Sequence, residues 1–389
     1  MKIVILGSGY IGPTIAYKCI CESDVTDVLL CDVNPKNLKL AHDKLSKICD
    51  TKKLSIYKLD VQNKKCLCRI LGTCDVAISA LEKKFCINVV DAACNVKTPL
   101  VDLSHPPEKD RNIIHKLIRK SDIIIVFGCG VEPGLTEVMA SYGAKFFDCV
   151  NELHIKCGGI PKYPKPPLEH KILFKSYELP IKEENASFVV NGELQTIPKF
   201  SDIEPVYFPP LGLLEAYHDW FMPWLLKMES FRNLKFGTQK SLRWPGYIDK
   251  AKLLRDIGLL SHKSIDVNGQ KVVPNDVLST LLLPKLQIEV GEKDITVFRI
   301  ELIGKIRNEF SKCTIEMIDH FDRETNFSSM ARTTGFPSAF VALMIGRRKI
   351  SHQGLYTPEM LIQGYIFDEL MKDLCSHGII FQITHNTLD

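Results

Sequence analysis

The chain has 389 residues, long enough for two domains, and its 45% hydrophobic and 25% charged residues are those of a globular protein rather than a disordered one. Lys and Arg number 50 against 46 Asp and Glu, leaving a dispersed charge of +4 that excludes a strong field for nucleic acid. No apolar run reaches the roughly 18 residues that span a membrane. The 14 cysteines lie scattered in apolar runs without C-x-x-C spacing, which predicts free thiols in a reducing cytoplasm and no metal site.

Short β-branched runs open the chain at Lys2–Leu6, Asp27–Cys31, Leu54–Leu59, Asp75–Ala80, Pro99–Leu103 and Asp122–Phe127. Longer amphipathic stretches separate them. Strands this short and apolar suit a parallel sheet buried on both faces, and the alternation predicts an α/β fold: a doubly wound Rossmann domain over 1–127. Past Pro133 the strand candidates become longer and more alternating, at Glu152–Cys157, Ser187–Val190, Lys285–Val290 and Thr296–Gly304. Proline-rich joints interrupt them at 161–167 and 205–210, and Asn191-Gly192 signals a hairpin turn. These features predict a second, mixed α/β domain over 128–335 for substrate and dimerisation. After Thr334-Gly335 an apolar helix over 336–350 shows one face made of Phe336, Ala339, Phe340, Leu343 and Met344. A further helix runs from Pro358 to about Cys375, with Gly378 as its stop, and the segment 336–389 is expected to complete the first domain.

The first strand runs directly into Gly7-Ser8-Gly9-Tyr10-Ile11-Gly12, a G-x-G-x-x-G that opens a helix-like run. Gly7 permits the tight turn, Gly9 admits a pyrophosphate to the backbone, and Gly12 lets the helix pack on the strand. Pyrophosphate then sits on the free N–H groups of the helix start, around Tyr10 and Ile11. Asp32 ends the second strand about 20 residues further on, where a carboxylate accepts both ribose hydroxyls and repels a 2′-phosphate. Val33 and Asn34 bring no positive charge, and Lys36 is the closest base, so the expected cofactor is NAD. Asp60 and Val61, after the third strand, are expected to flank the adenine. Ala80 and Leu81, after the fourth, are expected beside the pyrophosphate and nicotinamide ribose, because ligands bind at the carboxyl ends of such strands.

Four stretches in this order resemble the saccharopine dehydrogenase-like family, and within it the lysine 6-dehydrogenase type. They are the fingerprint with Asp32; Gly128-Cys129-Gly130-Val131-Glu132-Pro133-Gly134-Leu135-Thr136; Ser241-Leu242-Arg243-Trp244-Pro245-Gly246-Tyr247; and Thr334-Gly335-Phe336-Pro337-Ser338-Ala339. The resemblance spans about residues 1–370 and implies a Rossmann domain, a central α/β domain, a chain end that returns to the Rossmann side, and a homodimer. It implies oxidation of a carbon next to nitrogen with NAD(P) as acceptor. Between His218 and Glu229 the chain departs from the family pattern: Asp219-Trp220-Phe221-Met222-Pro223-Trp224 replaces a small, Gly/Ser/Thr-rich segment expected near the substrate.

Amine oxidation needs a neutral amine and a held carboxylate. Arg243 is the expected carboxylate clamp, with a structural ion pair as the alternative. Asp102 binds a substrate ammonium or caps the segment after its strand. His105 relays a proton or is a loop histidine, and Glu132 polarises the amine or serves the helix start. Three functions follow. The first is NAD-dependent oxidative deamination of an amino acid to a semialdehyde. The second is a saccharopine reductase-type C–N coupling, which asks for a second arginine such as Arg232 or Arg255. The third is a non-catalytic NAD-binding scaffold using the Trp220–Trp224 surface. The expected partner is a small amino-acid substrate, with no nucleic acid and no membrane.

Overall fold

The computed structural model describes residues 1–106, 108–174, 178–182, 184–289 and 291–388. They form two compact units, one of residues 1–138 and 322–379, the other of residues 139–321 and 380–389.

The first unit is built on seven parallel strands, Lys2–Leu6, Asp27–Asp32, Leu54–Lys58, Val76–Ser79, Leu100–Asp102, Ile124–Val126 and Gly354–Tyr356. Their spatial order is 354–356, 124–126, 100–102, 76–79, 2–6, 27–32, 54–58. The order reverses beside strand 2–6, and that switch point is where a doubly wound sheet opens a crevice for a ligand. Six strands lie where the sequence predicts them. The seventh, three residues long, is too short and too mixed to stand out. Helices Lys64–Leu71, Cys86–Val96 and Arg111–Ile118 each turn Leu or Ile side chains into one shared core with the sheet. Helix Ser329–Gly346 packs on helix Gly12–Ile20 and on strands 76–79 and 100–102.

That helix differs from the expected one. It begins at Ser329, because the Ser328 hydroxyl accepts the Ala331 N–H at 3.1 Å, so Thr334-Gly335 lies inside it and is not its boundary. It is buried on every side rather than along one face. The helix expected after Pro358 is two, Pro358–Leu361 and Tyr365–Ser376, divided at Gly364. Lys18, buried on helix Gly12–Ile20, reaches Asp373 at 2.6 Å and Glu22 at 2.8 Å, while Arg347 closes on Glu22 and Asp24. This ion-pair network binds the late helices to the first one.

The second unit carries a nine-stranded mixed sheet. Its strands are Cys149–Pro161, Asn185–Val190, Glu193–Pro198, Glu204–Phe208, Gly212–His218, Phe236–Arg243, Asp294–Ile306, Glu309–His320 and Phe381–Thr387. All its pairings are antiparallel except that of 236–243 with 149–161. Asn191 and Gly192, at φ +51° and +79°, make the expected hairpin turn. The strand expected at 285–290 is absent: Lys285 and Leu286 close helix Pro274–Leu286, Gln287 makes a single bridge to Ile172, and residue 290 lies outside the described residues. Phe381–Thr387 pairs with Glu309–His320, so residues 380–389 belong to this unit and not, as expected, to the first. No described helix is long and apolar enough to cross a membrane.

Candidate functional site

In the first unit the fingerprint forms a cradle. Gly7 holds φ +101°, and a Cβ there would meet the Ala80 carbonyl oxygen at 2.6 Å. A Cβ on Gly12 would stand 1.9 Å from the Gly7 carbonyl oxygen, so the helix start and the turn touch backbone to backbone. Gly9, by contrast, faces open space, with nothing within 4 Å of its Cβ position. No side chain caps the helix start at Ile11, and Pro13 falls in its first turn. A pyrophosphate fits this uncapped start. Ala80 and Leu81 border the Gly7 turn, and Tyr10 and Val33 are exposed.

Asp32 is fixed by its neighbours. Its Oδ2 accepts the Ser8 N–H at 2.8 Å, and its Oδ1 accepts the Asn34 N–H at 2.7 Å and the Asn37 amide at 3.4 Å. The carboxylate therefore stands oriented beside the glycine turn. Lys58 occupies the strand position in register with it, a nearby cation that separation in sequence conceals. Asp60 is exposed and accepts the Gln62 N–H at 2.9 Å, a turn role, while Val61 is buried in the core.

Asp102 is buried at 1% exposure. Its Oδ1 takes both the N–H and the hydroxyl of Ser104 at 2.8 Å, so the capping role is realised; Oδ2 is sealed from solvent without a well-formed hydrogen bond. Burial pushes its carboxyl up to about 6 against the pull of Ser104 and Ser79. His105 lies against Gly128, where a Cβ would meet its Nε2 at 2.2 Å, and near Phe127. Burial, assisted by the charge of Arg111, lowers its imidazole to about 4, so the ring is neutral at pH 7 and a weak base. Glu132 is half-buried ahead of helix Leu135–Ala144. The carboxylate that serves the helix start is Glu137, which accepts the Gly134 N–H at 2.6 Å and the Thr136 hydroxyl at 2.9 Å. An acid at the third helical position was the available signal.

In the second unit Arg243 ends strand 236–243, directly across from Glu215. Its Nη1 donates to the Leu242 carbonyl at 2.7 Å, and its buried Nε has no partner. The guanidinium lies 5.5 Å from the Tyr247 ring and 5.9 Å from the Tyr217 ring. Among the described residues no carboxylate comes within 4.0 Å of it, so the structural ion pair is absent. His170 packs on Tyr247 at 5.3 Å, and burial together with Arg243 holds it neutral. Glu215 instead accepts the Gly246 N–H at 3.2 Å, at the start of helix Tyr247–Asp256. The two other arginines are committed: Arg232 is exposed and paired with Glu229, and Arg255 holds the Lys199 carbonyl and Asp256. His218 is packed, with Nε2 on Asp202 at 2.9 Å. Tyr217 and His170 carry no local sequence signal, since strand register and helix packing alone bring them to Tyr247 and Arg243. Among the described residues no group of His, Cys, Asp and Glu is arranged to hold a metal ion.

A family model for the saccharopine dehydrogenase NADP binding domain matches residues 3–121, and one for the saccharopine dehydrogenase C-terminal domain matches residues 130–379. The chain belongs to the saccharopine dehydrogenase family. It is thus a saccharopine dehydrogenase-family oxidoreductase with an NAD(P)-binding domain. Carboxynorspermidine synthase of Vibrio cholerae is 22% identical over 93% of this chain and 92% of its own length. Carboxyaminopropylagmatine dehydrogenase of Synechocystis is 21% identical over 92% of each. The solved saccharopine dehydrogenase (L-Glu forming) of Saccharomyces cerevisiae superposes with a TM-score of 0.82 at 20% identity, covering 99% of both chains, which shows the shared fold.

Proposed function

We propose that this saccharopine dehydrogenase-family member is an NAD-dependent enzyme of an amino-acid-derived C–N bond, with one substrate carboxylate held by Arg243. The observation that carries the reading is the half-buried Arg243 guanidinium, whose Nε is sealed without a partner and which has no carboxylate within 4.0 Å among the described residues. A cation drawn partly out of water without a counter-ion is costly, and an anionic ligand relieves that cost. When bound, the nicotinamide cofactor supplies the hydride acceptor or donor. The chain's own residues bind and orient: the glycine cradle takes the pyrophosphate, Asp32 the adenosine ribose, Arg243 the carboxylate. Neutral His105 and the raised carboxyl of Asp102 are the titratable groups at the carboxyl end of the first unit's sheet, and are proposed for moving the amine proton.

The amine partner separates two forms of this reading. The names of the Vibrio and Synechocystis relatives describe carboxylated polyamines, which favours reductive coupling of a semialdehyde with an amine. A two-carboxylate product of the saccharopine kind asks for a second free guanidinium, which Arg232 and Arg255 do not supply. With ammonia as partner the same site would perform the lysine 6-dehydrogenase reaction. Following NADH absorbance with a semialdehyde and, in turn, ammonia, diamines and amino acids distinguishes these forms. Clear NADH binding without turnover of any pair would leave the non-catalytic scaffold instead.

A further inference from the structure

Asp219, the first residue of the segment that departs from the family pattern, lies in the same polar cluster as Arg243. Its backbone N–H bonds the Gln239 carbonyl at 2.8 Å, continuing the ladder in which Tyr217 faces Ser241 and Glu215 faces Arg243. Alternate residues share a sheet face, so Asp219, Tyr217, Ser241 and Arg243 lie on one surface. Two rows separate Asp219 from Arg243, about 13 Å along the strands. The arginine spans part of that gap, since its guanidinium lies over the Tyr217 ring. Asp219 keeps 37% side-chain exposure. Its Oδ2 accepts the Ser241 hydroxyl at 2.6 Å, and its Oδ1 accepts the Trp220 N–H at 3.0 Å and the Lys199 ammonium at 3.2 Å. Burial raises its carboxyl, and Lys199, Ser241 and Arg243 together outweigh that and hold it below its ordinary value.

The cluster therefore contains two cations and one anion, and Lys199 has taken the anion. We propose that Asp219 is the ammonium subsite of the substrate pocket, that Lys199 occupies it in the free protein, and that the site selects ligands carrying a carboxylate and an ammonium a few bonds apart, as an α-amino acid does. The carboxylate goes to Arg243, the ammonium displaces Lys199 at Asp219, and the carbon between them lies on Tyr217. All charges are then paired and Lys199 turns to solvent. A dicarboxylate would set its second charge against Asp219, and a simple carboxylate would leave Lys199 in place. Rejection of the wrong ligand is thus built from repulsion as well as attraction. The inference rests on Arg243 as the carboxylate hold.

Calorimetric titration of the full chain with L-norleucine, hexanoate and glutarate tests it. The wild type is expected to bind norleucine at least about tenfold more tightly than hexanoate, and glutarate more weakly still. Asp219→Asn, which keeps the hydrogen-bonding shape, should reduce the norleucine advantage to within about threefold. Lys199→Met should tighten norleucine binding by removing a competitor, whereas a merely structural lysine would weaken it. Glutarate or hexanoate binding as tightly as norleucine overturns the proposal. So does weaker norleucine binding by Lys199→Met, which carries the test if Asp219→Asn does not fold. NADH-linked turnover separates the two claims. Turnover without Asp219-dependent selectivity sinks this inference alone, and selectivity without any turnover sinks the oxidoreductase reading alone.

Discussion

Asp32 is anchored beside the glycine turn by Ser8, Asn34 and Asn37, and is proposed to face the adenosine ribose. A 2′-phosphate meets like charge there, with exposed Lys36 and Lys58 as the cations in reach. NAD is therefore the proposed cofactor, although the matching family model is named for NADP and so is the yeast relative. Asp32→Ser should weaken NADH binding and narrow its gap to NADPH; fluorescence titration that finds NADPH the tighter ligand of the wild type would reverse the assignment. Arg243→Met should raise KM strongly, by the equivalent of about 2–5 kcal/mol for a buried charged contact, with NADH affinity unchanged. Asp102 makes a pH-dependent prediction. Its carboxyl moves from 3.8 to about 6 on folding, so the folded chain holds more protons between those values and loses stability as pH rises through that window. Asp102→Asn should then raise stability at pH 7.5 by about 3 kcal/mol, read as a higher Tm, and leave Tm nearly unchanged at pH 3.5. An equal shift at both pH values would show that packing, not titration, is responsible. His105 runs the opposite way: folding lowers it from 6.5 to about 4, so the stability it contributes is lost as pH falls between those values.

At the scale of elements, the glycine turn and the helix behind it make different demands on neighbouring positions. Gly9 has empty space where its Cβ would be, whereas Gly12 has a carbonyl oxygen at 1.9 Å. Gly9→Ala is expected to fold with near-native Tm and to lose NADH binding by at least about tenfold, because the methyl fills the pyrophosphate path. Gly12→Ala should lose both binding and stability, because the helix must move off the turn. Melting and NADH titration of the pair check this contrast, and similar Tm loss in both would contradict it. Helix Ser329–Gly346 shows a second kind of constraint. Its Gly335 lets Thr14 and Ile15 of the first helix approach to 3.3–3.4 Å of its Cβ position, so a residue pair that looks like a break in sequence is a packing point in space.

For the molecule as a whole, the chain visits the first unit, crosses into the second at residue 139, returns at 322 and ends in the second. The final strand is hydrogen-bonded along Ser311–Met317, and Phe381 packs near Phe298 at 5.9 Å. A chain ending at Ile379 should therefore lose stability in the second unit while binding NADH normally. Loss of NADH binding on that truncation would show that the last strand supports the cofactor domain after all.

Sequence by itself determined six of the first unit's seven strands and its glycine turn, because both rest on local chemistry. The inner strands are short and largely apolar because the sheet is covered there, and a pyrophosphate turn needs glycine at three fixed offsets. Arg243 was also legible, as a guanidinium in a run shared with a known family. Only the tertiary structure decided the rest. The 285–290 run alternates polar and apolar residues as a strand does, yet Lys285 and Leu286 complete a helix whose Leu278, Leu282 and Leu286 fill a core. Residues 381–387 follow the late helices in sequence but pair with a strand more than 60 residues earlier. Arg243 reaches the Tyr217 ring, and Lys199 reaches Asp219, through strand register and side-chain reach, which no local spacing encodes. How far a carboxyl like that of Asp102 is raised depends on how completely its neighbours exclude water, and that is a property of the packed molecule rather than of the residue.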